Sequence, residues 1–67
     1  PHTIRAKLME YFSQQTRLQG TRTFTIPFNR QQLADYLSVD RSSMTVELYK
    51  MKDEGLIEFQ KNQFTVC

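Results

Sequence analysis

Between Asp40 and Lys50 the sequence reads DRSSMTVELYK, and four side chains in it suit one kind of chemistry. The Arg41 guanidinium is a planar fork that can grip O6 and N7 of guanine, or a phosphate. Ser42 and Thr45 carry hydroxyls that both give and accept hydrogen bonds. The methyls of Thr45 and Val46 can touch the C5-methyl of thymine. These groups are suited to reading base edges; none of them would break a bond.

The rest of the chain offers little to a catalytic reading. The single histidine, His2, and the single cysteine, Cys67, stand at opposite ends. They make no nucleophile-and-base pair and no zinc-ligand spacing, so both are read as incidental. With two glycines in all, there is no glycine-rich phosphate cradle. No enzyme, metal or cofactor is expected in this chain. One cysteine allows no internal disulfide, and its terminal position favours disorder. The expectation is therefore a reduced, cytoplasmic domain held by packing alone. No apolar run approaches a membrane span and no leader is evident.

Sixty-seven residues suffice for one small domain, residues 1–67, with a modest core and stability margin. Hydrophobic residues at 39% and charged residues at 24% are a globular balance, and the net charge of +2 is too small to argue from alone. What counts is the set of elements that would hold Arg41 and its neighbours. Ile4, Leu8, Tyr11 and Phe12 recur at helical spacing, predicting a helix over residues 3–18 with Thr3 as N-cap and Gly20 as its left-handed end. In TRTFTIPF, Phe24, Ile26 and Phe28 alternate with polar residues, a strand that Pro27 keeps short or at an edge.

A second helix begins after Asn29, with Gln32 placed to complete a capping box, and runs to about Leu37. Asp40 caps a third, Arg41 to about Glu54, and Gly55 follows its end. Ile57 and Phe59, then Phe64 and Val66, alternate around Lys61-Asn62. That pattern is a hairpin, with Asn62 suited to positive φ at the reversal. The order of helix, strand, helix, turn, helix and hairpin is a winged helix-turn-helix, mainly α with a small β part.

This arrangement supports an interface. Ala34 is small enough for two helices to cross closely, while Leu33, Leu37, Val39, Met44 and Leu48 anchor both helices and the turn. The core of the third helix is Met44, Leu48 and Met51. Arg41, Ser42, Thr45, Val46 and Tyr49 face away, and those near its start can reach bases in a major groove. Base reading is thus expected of Arg41, Ser42, Thr45 and Val46. Phosphate contact is expected of Asn29, Arg30, Gln31, Ser43, Tyr49, Lys50 and Lys61, with Lys52 secondary. Asp40 is read as a cap facing its own helix, Glu47 as a partner for Lys50, and Tyr36 as a packing residue with a wet hydroxyl. The turn usually carries glycine where Ser38 stands. Ser38 either accepts a strain of ~1–2 kcal/mol, or the turn differs.

The run NRQQLADYLSVDRSSMTVELYKMKDEGLIEF closely resembles the DNA-binding domain of the Crp/Fnr family of bacterial transcription regulators. The resemblance rests on RQ-LADYL at Arg30 to Leu37, VDRS at Val39 to Ser42, EGLI at Glu54 to Ile57 and the entering IPFNR at Ile26 to Arg30. It implies the output domain of a longer, homodimeric regulator on a pseudo-palindromic operator, with RNA polymerase as a further partner. It also implies a β-barrel sensor domain and a dimerisation helix, both outside this chain. Family effectors include cyclic nucleotides, iron–sulfur clusters and haem, and these residues assign none of them. Many members place Glu at the position of Ser42 and Arg at that of Val46, so the familiar half-site does not transfer. The competing reading is a winged helix that binds protein through exposed Val46 and Tyr49.

Overall fold

The computed structural model describes residues 3–67. Pro1 and His2 lie outside the described residues, and with them the reading of His2 as incidental. Along the chain come α1 (Ile4–Gln19), β1 (Thr23–Thr25), α2 (Arg30–Leu37), α3 (Arg41–Asp53), β2 (Ile57–Gln60) and β3 (Gln63–Val66). Three helices and a small antiparallel sheet make the winged helix-turn-helix that the hydrophobic spacing predicts.

Local chemistry sets most boundaries. The Thr3 hydroxyl accepts the Ala6 N–H, which starts α1, and Gly20, at φ 68°, ends it by donating to the Thr16 carbonyl. Asn29 and Gln32 exchange side-chain and backbone hydrogen bonds in a complete capping box at the start of α2. Asp40 accepts the Ser43 N–H at 2.9 Å and starts α3.

Between α2 and α3 the turn has the usual helix-turn-helix geometry. Ser38 lies in the left-handed region at φ 60°, ψ 46°, and does so without being glycine. Val39 N–H closes the turn onto the Ala34 carbonyl at 2.9 Å. The Lys7 ammonium, from α1, donates to the Leu37 carbonyl at 3.1 Å and satisfies another open end of α2. These two bonds hold a turn that carries local strain.

The sheet differs in two ways from the expected short strand plus separate hairpin. Its strand order is β1-β3-β2, so the entering strand joins the wing: Phe24 pairs with Phe64, and Phe64 with Phe59 on the other side. β1 stops at Thr25, short of the alternation through Phe28, because Pro27 has no N–H to donate. Ile26 makes the last link by donating to the Asn62 carbonyl at 2.9 Å. At the hairpin tip the left-handed residue is Lys61, at φ 53°, and not Asn62, whose carbonyl is tied to β1 through Ile26. Cys67, expected to be disordered, donates its N–H to the Leu56 carbonyl at 3.0 Å.

A single core runs through all of these elements. Leu8 and Phe12 from α1, Leu33 and Ala34 from α2, Met44, Leu48 and Met51 from α3, and Ile26, Ile57 and Phe64 near the sheet are all buried. Phe12 and Phe64, 4.9 Å apart between ring centroids, join α1 to the sheet.

Candidate nucleic-acid interface

α3 enters the core by one side only. Met44, Leu48 and Met51 are buried, while Arg41, Ser42, Val46, Tyr49 and Lys50 are exposed. The spacing of the buried residues therefore fixes which side chains the helix offers outward. Of the four base-reading candidates, Arg41, Ser42 and Val46 stand open to solvent. Thr45 is half-buried, and its hydroxyl donates back to the Arg41 carbonyl at 3.0 Å. What Thr45 keeps for a ligand is its methyl and a hydrogen-bond acceptor.

The beginning of α3 is occupied by its own cap. The Asp40 carboxylate takes both the N–H and the hydroxyl of Ser43, at 2.9 and 3.0 Å. Those two bonds, the Ser43 N–H first, hold the Asp40 carboxyl below the usual range. The Ser43 hydroxyl proton is thus engaged within the chain, which weakens its standing as a phosphate donor. Asp40 faces its helix, as the sequence suggested.

The start of α2 is capped at the same position, but by the neutral Asn29 instead of a carboxylate. There the cap takes the Gln32 N–H, and the Arg30 and Gln31 N–H groups keep no intrahelical partner. Two backbone donors and the positive end of the helix are left facing solvent, a ready arrangement for a phosphate oxygen. The side chains contribute less than expected. Gln31 donates to Asp35 at 2.9 Å, and the Asn29 oxygen is the cap itself.

Arg30 has a structural position that sequence reading did not anticipate. Its guanidinium lies over the Phe59 and Phe64 rings, 5.3 and 5.0 Å from their centroids. It is half-buried there, and this burial pulls its pKa down from the ordinary value. A phosphate could meet only the outer edge of this group, while its face braces α2 against the wing. Tyr49 meets Phe59 edge-on at 5.3 Å, and the Lys52 ammonium lies 5.2 Å from the same ring. Lys50 and Lys61 are exposed, with no side-chain hydrogen bond among the described residues. Tyr36 is 60% exposed with its ring packed on Phe28 and Tyr11, as a packing residue with a wet hydroxyl should be.

Glu47 corrects another expectation. Its carboxylate is bound by the Arg5 side chain of α1 rather than by Lys50 on its own helix. The same guanidinium makes a bidentate pair with Glu54 at 2.8 Å per bond. Glu54, and then Glu47, raise the Arg5 pKa, and Arg5 in turn lowers that of Glu54. This three-residue cluster ties α1 to both ends of α3's second half, so it fixes how α3 lies. Arg5, Lys7 and Phe59 are the supporting residues that sequence reasoning missed: Arg5 meets Glu47, Lys7 meets Leu37 and Phe59 meets Arg30, each pair more than twenty positions apart and without a periodic mark. Phe59 alone carried a signal, as an aromatic residue in a predicted wing.

Among the described residues no group of His, Cys, Asp and Glu could hold a metal ion, and no helix is long and apolar enough to cross a membrane. The family model described as "Crp-like helix-turn-helix domain" matches residues 6–67. No curated protein and no solved structure matches the chain significantly.

Proposed function

The chain belongs to the family of Crp-like helix-turn-helix domains, DNA-binding elements of transcription regulation, and from that membership we propose how its residues divide the work. α3 lies in the major groove of double-stranded DNA. Arg41 reads a guanine edge, with Ser42, Thr45 and Val46 reading neighbouring base pairs. The open N–H groups at the start of α2 hold a phosphate, and Tyr49, Lys50 and the wing-tip Lys61 contact the backbone on either side. The observation that carries this reading is the division of α3. Its apolar stripe is entirely buried, which leaves Arg41, Ser42 and Val46 as its outward face.

In this reading the domain is the output part of a longer cytoplasmic regulator. Two copies, joined by a segment outside this chain, bind a pseudo-palindromic operator, and RNA polymerase is a further partner. The effector belongs to a sensor domain and leaves no trace in these residues. The reading involves no catalytic step, in keeping with a DNA-binding family.

A second reading has its own observation. Val46 and Tyr49 are 55% and 54% exposed, and such residues could serve a protein partner. A titration of the 67-residue chain on genomic duplex fragments at two salt concentrations separates the readings. Selective binding that falls as salt rises, and weakens in Arg41→Ala, supports DNA recognition. Binding that ignores salt, or an Arg41→Ala variant equal to the parent, favours the protein partner.

A further inference from the structure

Val46 stands at a special point on α3. It lies two residues after Met44 and two before Leu48, which at about 100° per residue sets it nearly opposite the buried stripe. Its Cα–Cβ bond therefore points almost directly away from the core. It is 55% exposed and has no hydrogen-bonding group of its own.

Its neighbours on that face supply few hydrogen-bond donors. The Thr45 hydroxyl proton goes to the Arg41 carbonyl. Glu47 is held on another side of the helix by Arg5. Tyr49, one turn further, packs edge-on against Phe59. Donors return towards the two ends, with Arg41 and Ser42 before Val46 and the Tyr49 hydroxyl and Lys50 after it. The middle of the recognition face is thus apolar, continuous with cationic groups that suit phosphates and guanine.

Major-groove chemistry narrows what such a centre can recognise. Guanine, adenine and cytosine present donors and acceptors there, and reading them takes a polar side chain. Thymine alone adds a C5-methyl, the one feature of the four bases that a valine can select. Resting on the DNA-binding reading above, we propose that Val46 is a thymine-methyl reader: it packs on the C5-methyl of one thymine in each half-site. The same contact accepts 5-methylcytosine and disfavours both uracil and unmodified cytosine, so binding responds to methylation at that position. Arg41 lies five residues earlier, about 7.5 Å along the helix, so the thymine falls within about two base-pair steps of the guanine that Arg41 reads.

The test begins with selection of the preferred duplex by the 67-residue chain at low salt. Each thymine of that duplex is then replaced singly by uracil, which removes one methyl and nothing else. One position per half-site should lose about fourfold in affinity, the effect of one buried methyl group. At that position 5-methylcytosine should bind about fourfold tighter than cytosine. Both differences should shrink in Val46→Ala, which withdraws the two γ-methyls, and vanish in Val46→Ser, which has no methyl at all. Uracil tolerated at every position, or an equal uracil penalty in the parent and in Val46→Ala, overturns the inference while leaving DNA binding intact. Failure to bind any duplex in a salt-sensitive way overturns the DNA-binding reading, and the role of Val46 falls with it.

Discussion

On its inner side α3 sets Met44, Leu48 and Met51 into a core shared with α1, α2 and the wing, and Arg5 clamps Glu47 at the border. On its outer side Arg41, Ser42, Val46 and Tyr49 meet mostly solvent. The two sides obey different constraints. An inner residue must match the volume left by its neighbours, so any change is felt through the whole domain. An outer residue is constrained only by what it binds. A recognition helix can thus change its target without changing its fold, and in this chain the outer side carries Ser42 and Val46 where charged readers are common in the family it resembles.

The strongest break between the sides should come from Leu48→Ala. Removing this buried side chain should cost about 2–5 kcal/mol. A domain of this length holds only about 3–10 kcal/mol in total, so much of the molecule would unfold at room temperature. Urea titration measures it, with Val46→Ala as the outer control expected within about 0.5 kcal/mol of the parent. Equal losses in the two variants would mean that the faces are not independent.

Arg41→Ala is the converse case. Its urea midpoint should match the parent, while affinity for the selected duplex should fall by about 1–3 kcal/mol if the guanidinium grips a guanine. Base substitution at the contacted position should matter less in the variant than in the parent. A uniform loss across all sequences would assign Arg41 to a phosphate instead.

Legibility in the sequence follows the same division. The inner side was readable because burial imposes a period: Met44, Leu48 and Met51, the Asn29 box, the Asp40 cap and the Gly55 stop are all local signals. Pairings distant in sequence were not. Nothing in TRTFT announces that it will pair with Gln63–Val66, and nothing in Glu47 says that Arg5 will claim it in preference to Lys50. The candidate site divides likewise. The outward set on α3 follows from the period, whereas the stacking of Arg30 on Phe59 and Phe64 requires the wing to be folded against α2. Arg30 looked like a phosphate ligand because a sequence places charges near a helix start without saying what they lie against.

The border between the two sides should respond to acid. The Asp40 carboxyl is held below its usual range by the Ser43 N–H and hydroxyl, so its folded pKa lies below its unfolded one of about 3.9. The stability it contributes is present above that unfolded value and fades as pH falls through the folded pKa. Glu54, lowered by Arg5, adds a limb of the same sign. Asp40→Asn keeps a good cap but cannot titrate. Its melting temperature near pH 7 should stay close to that of the parent, and its decline below about pH 4 should be shallower. An unchanged decline would place the acid sensitivity in Glu54, which Glu54→Gln then tests.

The smallest expected effect compares two turns that share one backbone problem. Ser38 and Lys61 both hold a left-handed φ without being glycine, Ser38 inside the helix-turn-helix and Lys61 at the exposed wing tip. Ser38→Gly should relieve a strain of ~1–2 kcal/mol. The freer unfolded chain takes back about 0.4–1 kcal/mol, leaving a net gain between zero and about 1.6 kcal/mol. Because Ser38 ends α2 and is not among the base- or phosphate-contacting candidates, DNA affinity should not move. Lys61→Gly should relieve similar strain and raise the urea midpoint comparably, but it also deletes an exposed cation. If that ammonium contacts a phosphate, the slope of log affinity against log salt should shrink by about 0.9. Equal stability gains with only the second slope altered would confirm that the same strain is retained for packing in one turn and for binding in the other. A Ser38→Gly variant that loses affinity would instead show that the turn's angle, and not only its stability, positions α3 for DNA.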